Sequence, residues 1–340
     1  MRFSDGVKGW KDVREAYKIV SFYRAYPPET QMGWFKDYPE LSIDLRIVPK
    51  GCLTEEICNM VQDADIVLQV PGTMLTREIL ENMGNVKLLQ FLSIGYDTVD
   101  LKAASELGIT VANNPGFCAI PVAEHAIMAM LTLMRWGAYS HMELVKGNWV
   151  QKEIGFKIGE LNGKTVGILG LGSIGTEVAK RLRGFNVRIL YNKRNRLDEA
   201  TEKELGVEYG SLDQLIEESD VLTIHVPLTD ETRGLIGRDE IARMKKGAIL
   251  INTARGPIVD EAALAEALKE ERLLGAAIDV PRYGEGELPQ LVSMFQGIKN
   301  VLLTPHVSAF SPEAEIRWAK QFSENVFRVL RGETANYVVN

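Results

Sequence analysis

Cysteine is scarce in this 340-residue chain: Cys52, Cys58 and Cys118 are the only three. An odd number with no Cys-x-x-Cys pair excludes a disulfide framework and points to a reducing compartment. Histidine is equally sparse, with four residues and no metal-ligand spacing, so no metal site is expected. No stretch approaches the ~18 apolar residues of a membrane span, and Met1 to Tyr17 mixes charges without the apolar core of a signal peptide. The expectation is a cytoplasmic protein with no membrane contact. Basic residues are in deficit too, 39 Lys and Arg against 46 Asp and Glu, for a net charge of −7. That balance argues against a nucleic-acid partner, although a local basic cluster can hide inside an acidic total.

Repeats, low-complexity tracts and proline-rich linkers are also missing. What is present is globular: 46% hydrophobic, 25% charged and 8% aromatic residues. The length suffices for about two domains at roughly 150 residues each.

Short β-branched runs alternate with helix-like segments from about Lys18 onward, the pattern of βα units around a parallel sheet. In the first third the expected strands are Ile19 to Tyr23, Ile43 to Val48, Ile66 to Val70, Leu88 to Leu92 and Thr110 to Ala112. Apolar residues from Phe117 to about Leu144 occupy more than one helical face, which predicts one long, all-round buried helix at a domain junction or subunit interface. A second series follows: Thr165 to Leu169, Val187 to Asn192, Val221 to Val226, Ala248 to Thr253, Ala276 to Val280 and Val301 to Pro305. Ser211 and Asp260 are expected helix N-caps within it.

Gly170-Leu171-Gly172-Ser173-Ile174-Gly175 is a G-x-G-x-x-G directly after a strand and at the start of a helix that runs to about Arg183. Its glycines permit a tight turn and close backbone approach, and free N–H groups at the positive end of the helix dipole face a pyrophosphate. The next strand ends in Asn192 rather than the usual acid, and Lys193, Arg194, Asn195 and Arg196 follow. A carboxylate there binds the ribose hydroxyls of NAD, whereas a neutral Asn beside three cations attracts the 2′-phosphate of NADP. NADP is therefore the expected cofactor, with NAD as the alternative.

At this point the chain resembles the D-isomer-specific 2-hydroxyacid dehydrogenase family. The matching segments are Ser93-Ile94-Gly95-Tyr96-Asp97-Thr98-Val99-Asp100, Val122-Ala123-Glu124-His125, the stretch from Gly163 to Gly172, His225-Val226-Pro227-Leu228-Thr229, Asn252-Thr253-Ala254-Arg255-Gly256 and Thr304-Pro305-His306. Gly95-Tyr96-Asp97 and the Asn-Lys-Arg after the second Rossmann strand bring it nearest to the glyoxylate and hydroxypyruvate reductases. The resemblance implies an α/β fold of two Rossmann-like domains. A flavodoxin-like substrate domain would take 1–116 and 307–340, and a doubly wound dinucleotide-binding domain, 117–306, would be inserted into it. A homodimer is implied as well.

Catalytic roles come by the same route. Arg255 is expected to hold the 2-oxoacid carboxylate with its fixed fork and polarise the neighbouring carbonyl, and His306 to deliver the proton. The backbone N–H groups of Ile94 and Gly95 are expected to bind the carboxylate too. Asp279 would face the nicotinamide carboxamide, while His225, Val226, Pro227, Thr253, Ala254 and Arg255 line the cofactor with His306. The other histidines have plainer readings: His125 in the buried helix, His141 in its polar continuation, and His225 before Pro227. The family's Asp-Val-Phe-Glu-x-Glu-Pro is altered to Asp279-Val280-Pro281-Arg282-Tyr283-Gly284-Glu285-Gly286-Glu287. A three-residue insertion after Val280 makes Glu287 the carboxylate partner of His306, with Glu285 second.

The activity so implied is hydride transfer from NADPH to a small 2-oxoacid such as glyoxylate or hydroxypyruvate, giving a D-2-hydroxyacid. Two other readings stand beside it. One is a short-form phosphoglycerate dehydrogenase; the other is a non-catalytic nucleotide-sensing protein of the co-repressor type.

Overall fold

The computed structural model describes residues 16–70, 72–281 and 288–340. Two compact units are present: one takes the chain up to Pro115 and resumes over Ile316–Asn340, and the other is Gly116–Glu315.

The first unit holds a parallel sheet of β1 (Tyr17–Ser21), β2 (Ile43–Ile47), β3 (Ile66–Gln69), β4 (Leu88–Phe91) and β5 (Val111–Ala112), in the order β2-β1-β3-β4-β5. This is the flavodoxin-like order expected for it. All five strands lie within two residues of the expected runs, and β1 stops at Ser21, whose hydroxyl accepts the Tyr23 N–H at 3.2 Å. Val20, Phe22, Val67, Leu89, Phe91 and Val111 share one buried cluster, as the two-residue period of a strand requires. The returning chain is fixed by polar contacts: the Trp318 indole N–H donates to Leu92 O, and Asn325 Nδ2 donates to Gln90 Oε1 at 2.7 Å.

The second unit carries β6 (Thr165–Leu169), β7 (Arg188–Asn192), β8 (Glu208–Tyr209), β9 (Val221–Ile224), β10 (Ile249–Asn252), β11 (Gly275–Ile278) and β12 (Val301–Leu303). They are all parallel, in the order β12-β11-β10-β9-β6-β7-β8. Order reverses between β6 and β9, the switch point where doubly wound sheets bind ligands. Val166, Ile168, Ile189, Tyr191, Ile249 and Ile251 pack on one face, and Leu169, Leu190, Leu222, Ile224, Leu250 and Ile278 on the other. Each fully buried Ile or Leu contributes about 1.5–3 kcal/mol, so strands covered on both sides need no polar alternation. Ser211 and Asp260 cap as expected, their side chains accepting Gln214 N–H at 3.1 Å and Ala263 N–H at 3.0 Å.

Two expectations need correction. The single helix from Phe117 to Leu144 is two helices, Ala119–Met134 and Gly137–Val145, and only the first buries residues. Trp136 breaks it: its φ is +53°, and its ring is buried at 5% exposure while the backbone reverses. Strand β8 was not anticipated, because two exposed residues carry no periodic signal.

Residues 307–315, expected with the returning segment, group with the second unit. The physical reason is local: the Val307 and Ser308 N–H groups donate to the Asp279 carboxylate, both at 3.0 Å.

Candidate active site

The loop after β6 is built from backbone. Gly170 has φ +95°, and a Cβ on it would stand 2.8 Å from the carbonyl carbon and oxygen of His225. A Cβ on Gly175 would meet Gly170 O at 2.3 Å, so the helix Ser173–Leu182 can sit this close to β6 only with glycine there. Gly172, the N-cap, differs: nothing lies within 4 Å of where its Cβ would be, and no side chain caps the helix. Open space beside uncapped N–H groups, flanked by Ser173 and Ile174, fits the pyrophosphate of a dinucleotide.

Where the ribose would lie, after β7, the expected cluster of three cations resolves into two kinds. Arg196 is committed to Glu202 through two hydrogen bonds, 2.9 Å from Nε and 2.8 Å from Nη2, and its guanidinium lies 5.5 Å from the centroid of the Tyr209 ring. The Arg196 hydrogen bond, aided by one of 2.6 Å from the Tyr191 hydroxyl, pulls the Glu202 carboxyl down to about 2. Burial, with that same hydrogen bond, pushes Tyr191 up to about 12. This corrects the reading of Arg196 as a ligand-facing cation. Lys193 and Arg194 have no hydrogen-bond or ion-pair partner among the described residues, although the Arg194 charge helps to lower the Glu231 pKa. Asn192 donates from Nδ2 to Gly210 O at 2.8 Å, while its own carbonyl accepts the Gly170 N–H at 2.8 Å, tying this corner to the phosphate loop.

His225 follows β9, with Val226 and Pro227 next to it. Its Nε2 is 2.9 Å from Thr223 Oγ1 and its Nδ1 is 3.4 Å from Thr253 Oγ1, and burial pushes its pKa down to about 3, so it is neutral. Asn252, at the end of β10 and 1% exposed, clamps the next loop: its Oδ1 accepts Ala254 N–H at 3.0 Å and its Nδ2 donates to Arg255 O at 2.9 Å. Arg255, half-buried, donates from Nη1 to Ala254 O at 2.8 Å.

His306 follows β12 with φ +56°, a left-handed conformation that costs a non-glycine residue about 1–2 kcal/mol. Its N–H donates to Asp279 O at 2.8 Å and to Thr304 O at 3.0 Å. The Asp279 carboxylate, 1% exposed, accepts Thr304 Oγ1 at 2.6 Å as well as the N–H groups of Val307 and Ser308. Burial alone would raise its pKa, but these hydrogen bonds together bring it below the usual carboxylate range. Asp279 thus spends most of its acceptor capacity on the His306 loop, with room for no more than about one further donor such as a carboxamide. Partial loss of hydration lowers the His306 pKa; Asp279 opposes the shift and the charge of Arg255 adds to it. Arg255, Asp279 and His306 therefore share one electrostatic site. Glu285 and Glu287, the candidate carboxylate partners, lie outside the described residues.

Ile94 and Gly95 belong to the first unit. The carbonyls around them point inward: Ile94 O accepts Asn113 Nδ2 at 2.8 Å, Gly95 O accepts Ser93 Oγ at 2.7 Å, and Ser93 O accepts Asn114 N–H at 3.0 Å. Their own N–H groups have no acceptor among the described residues, as an anion-binding turn requires. Asn252, Asn113 and Thr304 were missed as site residues. Asn252 and Thr304 sit inside recognised motifs and Asn113 directly follows β5, but only the tertiary contacts give each a task. Among the described residues no cluster of His, Cys, Asp or Glu is arranged to hold a metal, and no helix is long and apolar enough to cross a membrane.

The family described as D-isomer specific 2-hydroxyacid dehydrogenase, NAD binding domain, matches residues 127–308. A glyoxylate reductase of Thermococcus litoralis is 36% identical over 324 residues, covering 92% of this chain and 94% of that protein. Among solved structures, an NAD-dependent formate dehydrogenase from Staphylococcus aureus in complex with NAD is similar at a TM-score of 0.79 and 33% identity, over 95% of this chain and 99% of that one. An acyclic imino acid reductase in complex with NADPH and D-Arg is similar at a TM-score of 0.82 and 27% identity, over 95% and 100%. Longer relatives also match: this chain spans 55% of the length of a D-3-phosphoglycerate dehydrogenase from Methanocaldococcus jannaschii, with 39% identity over 295 residues and 86% of this chain covered.

Proposed function

The chain belongs to the D-isomer specific 2-hydroxyacid dehydrogenase family and is an NAD(P)-dependent oxidoreductase; on that premise, we propose that it reduces a small 2-oxoacid, glyoxylate or hydroxypyruvate, to the D-2-hydroxyacid with NADPH. One observation carries the reading: Arg255 and His306 stand at the carboxyl ends of β10 and β12, each clamped by a buried side chain, and close enough for the charge of one to shift the proton affinity of the other. When bound, the reduced nicotinamide supplies the hydride. Arg255 holds the substrate carboxylate and polarises the carbonyl, Ile94 and Gly95 bind the carboxylate through their N–H groups, and His306 delivers the proton. Glu287 keeps the imidazole protonated; replacing it with Gln is expected to lower kcat and move the upper pH limb, whereas Glu285→Gln leaves both in place, and the reverse result would exchange the two assignments.

The preference for NADPH over NADH rests on Lys193 and Arg194, which have no hydrogen-bond or ion-pair partner among the described residues where an acid would otherwise hold the ribose. It is tested by kcat/KM for both cofactors in the native enzyme and in Arg194→Ala. NADPH is expected to lead in the first and lose most of its lead in the second; equal values in both would remove the argument. The proposal includes a cytoplasmic homodimer, which light scattering checks for assembly. A second reading, phosphoglycerate dehydrogenase, draws on the Methanocaldococcus jannaschii relative. NAD-dependent oxidation of 3-phosphoglycerate faster than reduction of either 2-oxoacid would favour it.

A further inference from the structure

His306 works from a backbone conformation that its own side chain disfavours, and the contacts that hold it there can be traced outward. Its N–H and the next two, of Val307 and Ser308, all donate to Asp279. Asp279 is in turn held by the Thr304 hydroxyl at 2.6 Å. A hydroxyl has one hydrogen, and an ionised carboxylate can only accept, so the Thr304 hydrogen points at Asp279 and its lone pairs face away. His125 Nε2 lies 3.2 Å from that oxygen and 3.9 Å from Asp279 Oδ1. Nε2 must therefore carry a hydrogen and donate it. His125 stands on the helix Ala119–Met134, whose buried face anchors it to the core of the second unit.

We propose that His125 and Thr304 are positioning residues that act through Asp279 to hold the His306 loop in its working conformation. The chain of contacts runs His125 to Thr304 to Asp279 to the backbone of residues 306–308, and none of its outer members touches a reacting atom. Lone histidines are ordinarily structural, but this one, half-buried, donates to Thr304 at the root of the loop that carries the proposed proton donor. Among the described residues the groups whose charge reaches the His306 ring are Asp279 and Arg255, so a shifted loop changes its titration as well as its aim.

The inference rests on the reading of His306 as proton donor, and the test separates the two. Thr304→Val and His125→Leu remove the hydroxyl or the donor; Thr304→Ser and His125→Gln keep them. The first pair is expected to lower kcat roughly 10- to 100-fold with KM for NADPH unchanged, since small misplacements of a reacting group cost that much. The second pair should restore most of it. NMR titration of the His306 imidazole, assigned by its loss in His306→Gln, should show a shifted midpoint in the first pair alone. Folded Val and Leu variants with wild-type titration and kcat would overturn the proposal. If the wild type turns over no 2-oxoacid, the functional reading fails, and the titration still decides the positioning.

Discussion

The loops at the carboxyl ends of β6 and β12 are built in opposite ways. The first, Gly170 to Gly175, is backbone throughout: two of its three glycines are required by atoms of the neighbouring strand and turn, and the third opens onto space for a ligand. The second, Thr304 to Ser308, is backbone held by side chains from far along the chain, with the Asp279 carboxylate accepting from three residues and His125 reaching Thr304 across 179 positions. A loop of the first kind announces itself in a six-residue pattern. A loop of the second kind shows only its tip, Thr-Pro-His, and its supports must be found in space.

The contrast breaks most sharply at His306. His306→Gln is expected to cut kcat by roughly 10²–10⁴-fold while NADPH still binds, because the β6 loop is untouched; loss of cofactor binding, read by nicotinamide fluorescence, would show that the two loops are not separable. Arg255→Lys, which keeps the charge but loses the fork, should raise KM for the 2-oxoacid far more than KM for NADPH.

Within the β6 loop the glycines should separate. Gly175→Ala, forced against Gly170 O, is expected to destabilise the second unit by about 1–3 kcal/mol, seen as a lower Tm. Gly172→Ala should leave Tm unchanged and weaken NADPH binding alone. Equal Tm values for the two variants would contradict the assignment of one glycine to packing and the other to the ligand.

How much of this was legible in the residues follows the same division. Alternating β-branched runs placed eleven of the twelve strands among the described residues within two residues, because strands buried on both faces read as plain apolar runs. Strand β8 was invisible, and so was the break at Trp136, since no local pattern marks a buried tryptophan in a left-handed turn. The glycine motif and the positions of Arg255 and His306 were legible. The partnership of Arg196 with Glu202 was not: six residues apart, they meet only because the chain turns between β7 and the helix Glu199–Leu205. Asp279 was legible as a site residue, yet its engagement with three donors emerges only when β11 and β12 lie side by side.

Smaller effects sharpen the picture after β7. Arg196→Gln should leave the ratio of NADPH to NADH efficiency near its native value, in contrast to Arg194→Ala, because Arg196 is spent on Glu202. Glu202→Gln tests that pair through pH. The Glu202 pKa is lowered from 4.5 to about 2 on folding, so its contribution to stability is present above about 4.5 and is lost as pH falls toward about 2. The Gln variant should be less stable near neutrality and should approach the native protein in acid. Parallel stability curves across that window would mean that the pair contributes nothing.

The most direct measurement is the initial rate of NADPH oxidation with a panel of small 2-oxoacids, run beside NADH and with His306→Gln as control. Glyoxylate or hydroxypyruvate should drive oxidation that is faster with NADPH and nearly abolished in the variant. No oxidation of either cofactor by any 2-oxoacid at micromolar enzyme would contradict the account.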